Sequence, residues 1–293
     1  MLQTFLKYLE FEKKYSQHTL ISYQTDISQF EAYSLSTNPD FTLEKSEHRH
    51  IRAWIVDLIE NGTSPRSVNR KLSSLKSLFK FSLGRAIISE NPTLKVRNLK
   101  VAKKLPAFVP ANQMKDLLEG FDFEDCFEDS RDALILELLY GTGIRLSELL
   151  NVKPKHIDLH KKTIRVLGKG NKERIIPLYD KLIERINNYL HHKDYHFGSN
   201  EQQVLFVTNK GADAYPMMIN RIVKKYLSVF STVEKTSPHV MRHSFATHLL
   251  DQGADLNAVK DLLGHSSLAA TQVYTHNSLD KLKKVFDQAH PKA

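Results

Sequence analysis

The sequence predicts a mainly α-helical protein with a small antiparallel β-sheet, organised as two domains. Three observations lead there. Apolar residues recur at helical spacing through most of the chain, two short alternating stretches flank a glycine-rich loop, and basic residues gather near residue 100. With 293 residues, 41% hydrophobic and 26% charged, the chain can build a sizeable core and does not have the composition of a disordered polymer. No apolar run reaches the ~20 residues that a membrane-spanning helix needs. Met1 to Glu12 lacks the unbroken apolar centre of a secretory signal. The single cysteine, Cys126, excludes an internal disulfide and a cysteine zinc cluster, and it suits a reducing cytoplasm. The net charge of +9 favours a polyanionic partner, and it is unevenly spread. Residues 1–105 hold 17 basic against 10 acidic side chains, a net of +7, whereas the remainder carries +2.

The N-terminal third reads as helices. Leu2, Phe5, Leu6 and Leu9 share helical spacing, followed by Leu20, Tyr23, Ile27 and Phe30, and then Ile51, Ile55 and Leu58. Ser64 and Pro65 form a helix start, a capping hydroxyl followed by a proline that needs no N–H partner. Val68, Leu72, Leu75 and Phe79 then make an apolar face, with Arg66, Arg70, Lys76 and Lys80 opposite. That stripe fits DNA phosphates and equally fits a solvated surface. Val96 to Pro106 holds Arg97, Lys100, Lys103 and Lys104 with no acidic residue, and reads as an exposed basic linker.

Beyond it, Asn112 to Leu118 is a short helix. Glu119 to Asp132 is acidic, through Glu119, Asp122, Glu124, Asp125, Glu128, Asp129 and Asp132, and is expected to face away from nucleic acid. Arg131 to Tyr140 is a buried helix ended by Gly141-Thr142-Gly143. Thr163 to Leu167 and Glu173 to Leu178 are strands of a hairpin turning at Gly168 to Lys172, and Val204 to Thr208 is a further short strand. From Pro216 the pattern is helical almost to the end.

Several residues can carry chemistry. Ser237-Pro238 starts a helix whose first turn holds His239 and Arg242, three apart on one face. Unpaired N–H groups and the helix dipole favour an anion there, and an imidazole beside a guanidinium fork suits a phosphodiester. Read alone, the segment also fits an ordinary capped helix. Zinc is the rival: His239 and His243 have a metal pair's spacing, with His248 beyond, yet Val240 stands where the metalloprotease glutamate belongs, so no metal site is expected. Gly168-Lys169-Gly170 lies between strands and lacks P-loop spacing. Arg145 and Glu148, three apart, fit a simple ion pair or a carboxylate that aims an arginine at a phosphate. Asp255 caps a helix ended by Gly264, with His265 at the turn and Tyr274 beyond.

Together these residues resemble the tyrosine site-specific recombinases. The constellation in chain order is Arg145, Lys169, His239-Val240-Met241-Arg242, Leu262-Leu263-Gly264-His265 and Tyr274. The longer stretches Ser237 to Leu250, Gly253 to Leu256 and Thr271 to His276 look like the bacterial Xer subgroup, and His290-Pro291-Lys292-Ala293 leans towards XerD rather than XerC. In the N-terminal third, Tyr15-Ser16, Thr19, Tyr23 and Asp26 resemble the family's helical core-binding domain.

The resemblance implies a core-binding domain at 1–98, a basic linker at 99–107 and an α/β catalytic domain at 108–293, closing as a clamp on DNA. It makes Tyr274 the nucleophile that forms a 3′-phosphotyrosine. Arg145 and Arg242 become phosphate ligands, Lys169 the general acid, His239 a base or phosphate ligand, and His265 a hydrogen-bond donor, with Glu148 in support. Arg66, Arg70, Lys76, Lys80, Lys103 and Lys104 are the candidate DNA-backbone contacts. No cofactor or metal is implied, because the phosphotyrosine conserves the bond energy. The implied partners are double-stranded DNA, a tetramer on two sites with a second Xer-type recombinase, and a septal translocase of the FtsK type. The implied location is the bacterial cytoplasm at the nucleoid, without membrane insertion. Chromosome dimer resolution at a dif-like site is the expected role. An integrase of a mobile element and a non-catalytic DNA-binding protein of the same fold are the alternatives.

Overall fold

The computed structural model describes residues 1–102, 107–168, 173–200, 203–231, 233 and 236–264. The chain forms two compact units, Met1–Lys104 and Leu105–Ala293. The described residues are mostly helical, with one three-stranded antiparallel sheet. No helix among them is long and apolar enough to cross a membrane.

In the first unit α1 (Leu2–Lys7) runs into a π-helical turn at Tyr8–Glu12, followed by α2 (Gln17–Thr37), α3 (His48–Glu60) and α4 (Pro65–Gly84). Phe5, Leu9, Ile27, Phe30, Ile51, Trp54, Leu72, Leu75, Leu78 and Phe79 supply the core, the burial that offsets the entropy of ordering four helices. Ser64 Oγ accepts from Ser67 N at 3.3 Å, with Pro65 at the first helical position, so α4 starts where the sequence marks it.

One polar contact crosses this core. Asp26 on α2 is 1% exposed and accepts from Arg70 Nη2 (2.8 Å) and Ser74 Oγ (2.8 Å) on α4, with Lys71 Nζ at 3.3 Å. A buried carboxylate needs such partners, since unpaired it would cost several kcal/mol, on the order of 3–5. Arg70, one of the candidate DNA-backbone contacts, is half exposed and bound to Asp26 and Ser22. Arg66 and Lys80 are exposed, and Lys76 donates to Asn98 Oδ1 at 2.8 Å. Lys103 and Lys104 lie outside the described residues.

The second unit contains α5 (Ala111–Glu119), α6 (Phe127–Gly141) and the one-turn α7 (Leu146–Leu149). The sheet follows, with β1 (Ile157–Asp158), β2 (Thr163–Leu167) and β3 (Glu173–Pro177). Then come α8 (Asp180–Phe197), α9 (Pro216–Phe230), α10 (Pro238–Asp251) and α11 (Leu256–Leu263). The strands pair in the order β1-β2-β3, with Ile164 opposite Ile176 and Val166 opposite Arg174. Ile164, Val166, Arg174 and Ile176 therefore share the buried face, while Arg165 and Leu167 point outward.

Two sequence expectations change here, and one acidic residue proves buried. The buried helix begins at Phe127 rather than Arg131, because Glu128 and Asp129 favour its N-terminal dipole and Phe127 is buried. Asp132, the last of the acidic run, is buried. It is 5% exposed and takes both Nε and Nη2 of Arg131, and burial raises its pKa despite that guanidinium. Val204 to Thr208 is not a strand: its one β-bridge joins Val207 to Asp213. Side chains take three of its carbonyls, with Lys193 Nζ on Val204 O (2.8 Å), Tyr189 Oη on Leu205 O (2.9 Å) and Arg131 Nη1 on Val207 O (3.4 Å), while Phe206 O accepts from Ala214 N (3.0 Å).

The turn after α6 sets the rest of the unit. Thr142 Oγ1 donates back to Leu138 O at 2.6 Å and accepts from Ile144 N at 3.2 Å, and Gly143 follows with φ of +58°. A Cβ on Gly143 would lie 2.6 Å from the Phe245 ring and 2.7 Å from Leu263, so α10 and α11 close directly onto this glycine. Gly143→Ala should therefore destabilise the second unit by roughly 2–4 kcal/mol, combining left-handed strain with overpacking. Urea unfolding checks this, and an unchanged midpoint would mean that α10 and α11 can retreat at no cost.

Candidate active site

The turn after α6, the start of α7, the inward face of β3, the middle of α10 and the end of α11 bring three arginines together. Arg145 stands at the N-cap of α7, and Glu148, three residues on, turns back to it. Glu148 Oε2 accepts from Arg145 N (2.8 Å) and Oε1 from Arg145 Nη1 (2.7 Å). From β3, Arg174 donates through Nη1 to Oε1 (2.7 Å) and through Nη2 to Oε2 (2.8 Å) of the same carboxylate. Each oxygen of Glu148 thus takes one bond from Arg145 and one from Arg174.

Arg242 enters from α10, 8% exposed. Its Nη1 donates to Gly143 O and its Nη2 to Leu263 O at 2.6 Å. Arg145 Nη2 donates to Gly264 O (2.7 Å), and Arg174 Nε to Leu262 O (2.9 Å). Three successive carbonyls at the C-terminal end of α11, where the helix dipole is negative, therefore each receive a different guanidinium. Asp255 caps the other end of α11 through Asn257 N and Ala258 N, and Gly264 ends it with φ of +65°.

Electrostatics follow from this packing. Burial alone would raise the Glu148 pKa, but the bonds and charge of Arg174, and then those of Arg145, hold it below the ordinary carboxylate value. Burial, then the charges of Arg145 and Arg174, pull the Arg242 pKa down to about 9, which still leaves the guanidinium charged at neutral pH. Three guanidinium groups face one carboxylate, and carbonyl dipoles do not cancel the excess. The cluster is built to receive an anion, and a planar fork suits a phosphate.

Of the sequence candidates, Arg145, Glu148 and Arg242 meet in this cluster. His239 is exposed in the first turn of α10 and makes none of the cluster's bonds, although it lies one turn from Arg242. Ser237 occupies the N-cap of α10 without a side-chain capping bond. Of the three histidines considered for zinc, His239 is exposed and His248 is buried. His248 is buried against Tyr140, whose Oη lies 2.9 Å from Nδ1, and burial lowers the His248 pKa. Among the described residues no group of three or more His, Cys, Asp or Glu side chains is placed to hold a metal. Lys169, His265 and Tyr274 lie outside the described residues, as do the turn Lys169 to Lys172 and the segment Asp280 to Phe286.

Arg174 was not read from the sequence as a functional residue. The available signal was alternation: Arg174 stands two residues before Ile176 and therefore on its buried face, where a charge requires a partner.

Glu148→Gln should cost about 3 kcal/mol at neutral pH by leaving two guanidinium groups without their counter-ion. The lowered carboxylate pKa stabilises the fold at pH above its unfolded value of about 4.5, and that contribution is lost as pH falls through the folded pKa. Urea midpoints between pH 5 and pH 3 should therefore fall less steeply in the variant than in the parent. Parallel curves would remove Glu148 from the acid transition.

Residues 107–280 match the phage integrase family, and residues 2–85 match the phage integrase N-terminal SAM-like domain. Tyrosine recombinase XerC of Chlorobaculum parvum is 36% identical, covering 100% of this chain and 94% of the relative. Tyrosine recombinase XerD of Staphylococcus haemolyticus is 34% identical, covering 100% of this chain and 99% of the relative. In fold, the chain is similar to XerH recombinase bound to a palindromic difH substrate, with a TM-score of 0.71, 22% identity, and coverage of 97% of this chain and 83% of that one. With the family matched over both halves and relatives above 30% identity along its whole length, the chain belongs to the phage integrase family, among the tyrosine recombinases of the Xer type.

Proposed function

We propose that this chain cuts and rejoins duplex DNA at a specific site through a covalent 3′-phosphotyrosine at Tyr274. The observation that carries this reading is the convergence of Arg145 and Arg242 on the adjacent carbonyls of Gly264 and Leu263. A scissile phosphodiester supplies the negative charge that the cluster is short of. Arg145 and Arg242 donate to its non-bridging oxygens and balance the charge that grows there in the transition state.

The Tyr274 oxygen attacks phosphorus, and the bond to the 5′-oxygen breaks. A free phenol, with a pKa near ~10, is a weak nucleophile at neutral pH. His239 takes its proton or binds the phosphate. Lys169 protonates the leaving 5′-oxygen, and His265 donates a further hydrogen bond. Attack by the partner strand's 5′-hydroxyl then releases Tyr274 and builds a Holliday junction. The phosphoester energy is kept throughout, so no nucleotide is spent.

The proposed division of labour is a core-binding domain at 1–98, a linker at 99–107 and a catalytic domain at 108–293. The family matches at 2–85 and 107–280 support it. Arg66, Lys76 and Lys80, with Lys103 and Lys104, are the proposed backbone contacts, and Arg70 adds the share of its guanidinium that Asp26 and Ser22 leave exposed. The proposed substrate is a dif-like chromosomal site, where a tetramer containing a second Xer-type recombinase resolves chromosome dimers under a septal translocase of the FtsK type. Full-length likeness to relatives named XerC and XerD supports this role, and with it a place at the nucleoid in the cytoplasm.

Incubation with a nicked suicide duplex carrying that site, in EDTA, tests the reaction. A denaturant-resistant protein–DNA adduct should form, and Tyr274→Phe should abolish it. Arg242→Ala should remove the adduct while leaving most of the duplex affinity. Free DNA ends that vanish with chelation would instead identify a metal-dependent nuclease.

A further inference from the structure

We propose that Arg174 is a positioning residue of the cleavage site, setting the direction of Arg145 through Glu148 and the height of the α11 terminus through Leu262. The proposal rests on the phosphate-binding reading of Arg145 and Arg242 and adds a residue to it.

Arg174 is 5% exposed and sits on the inward face of β3, at a register position where Ile164, Val166 and Ile176 are its neighbours in pattern. A charge there replaces apolar burial, and its stem packs so closely on the residue that caps α11 that a Cβ on Gly264 would lie 3.2 Å from Arg174 Cδ. Its Nε, Nη1 and Nη2 are all committed, to Leu262 O and to both oxygens of Glu148. A side chain so enclosed acts through what it holds.

What it holds is the pair of groups that aims the site. Glu148 is pinned from one side by the two parallel Arg174 bonds and presents its oxygens to Arg145 N and Nη1 on the other. Arg145 then reaches Gly264 O, two residues beyond the carbonyl that Arg174 Nε holds, and Arg242 reaches Leu263 O between them. Both proposed phosphate ligands are referenced to one short backbone segment whose place is set by β3.

Lysine at this position keeps the charge and loses the fork. If Arg174 merely neutralised Glu148, Arg174→Lys would be harmless. If it positions Arg145, the variant should bind the duplex within about twofold of the parent and form adduct about 100-fold more slowly, the scale of a 1 Å misplacement of a catalytic group.

A second substrate separates positioning from loosened structure. Replacing one non-bridging oxygen of the scissile phosphate by methyl removes a charge and with it the demand on Arg145. On this methylphosphonate, Arg174→Lys and Arg145→Ala should both recover to within about tenfold of the parent. Equal loss on both substrates, or a parental rate on the ordinary phosphodiester, would overturn the proposal. If the parent protein itself forms no adduct on its site, the recombinase reading falls first and carries this one with it.

Discussion

The second unit is organised around a single carboxylate. Glu148 accepts four hydrogen bonds, two from Arg145 and two from Arg174, and by doing so ties the turn after α6 to the third strand of the sheet. Its burial would be unfavourable alone, and its lowered pKa reflects how strongly the two guanidinium groups offset that cost. The same arginines, with Arg242, then gather the last carbonyls of α11. Folding therefore brings together three positive side chains that an unfolded chain keeps apart and solvated, at a cost in mutual repulsion. One negative charge and a helix terminus are what it supplies in return. The imbalance leaves the folded cluster net positive, and on the proposed function that excess is what an incoming phosphate offsets.

A second buried carboxylate does comparable work in the first unit. Asp26 joins α2 to α4 through Arg70, Lys71 and Ser74 across an otherwise apolar core. This fixes how the basic stripe of α4 is presented, since Arg66 and Lys80 extend from the same helix that Asp26 anchors. In both units, then, arginine placement depends on acidic partners that are themselves removed from solvent.

Much of this was legible in the sequence, for reasons that differ by element. Ser64-Pro65 and Asp255 announce helix starts through local chemistry, and Gly143 and Gly264 mark turns whose left-handed backbone a side chain would strain. The hairpin strands follow from alternation, and Arg145, Glu148 and Arg242 from the resemblance. Long-range partnership was not legible. Asp26 looks like a surface acid until Arg70, 44 residues on, is found beside it. Val204 to Thr208 has a strand's composition, but Tyr189, Lys193 and Arg131 claim three of its carbonyls and leave a single β-bridge. Arg174 hides within a strand because its two partners lie 26 and 88 residues away.

The most direct measurement is a crystal structure of the Tyr274→Phe protein on a duplex site. The account requires one backbone phosphate whose oxygens accept from both Arg145 and Arg242, with Glu148 still bridging Arg145 and Arg174. Two guanidinium groups bound to different phosphates, or a Glu148 released from Arg174 when DNA enters, would contradict it.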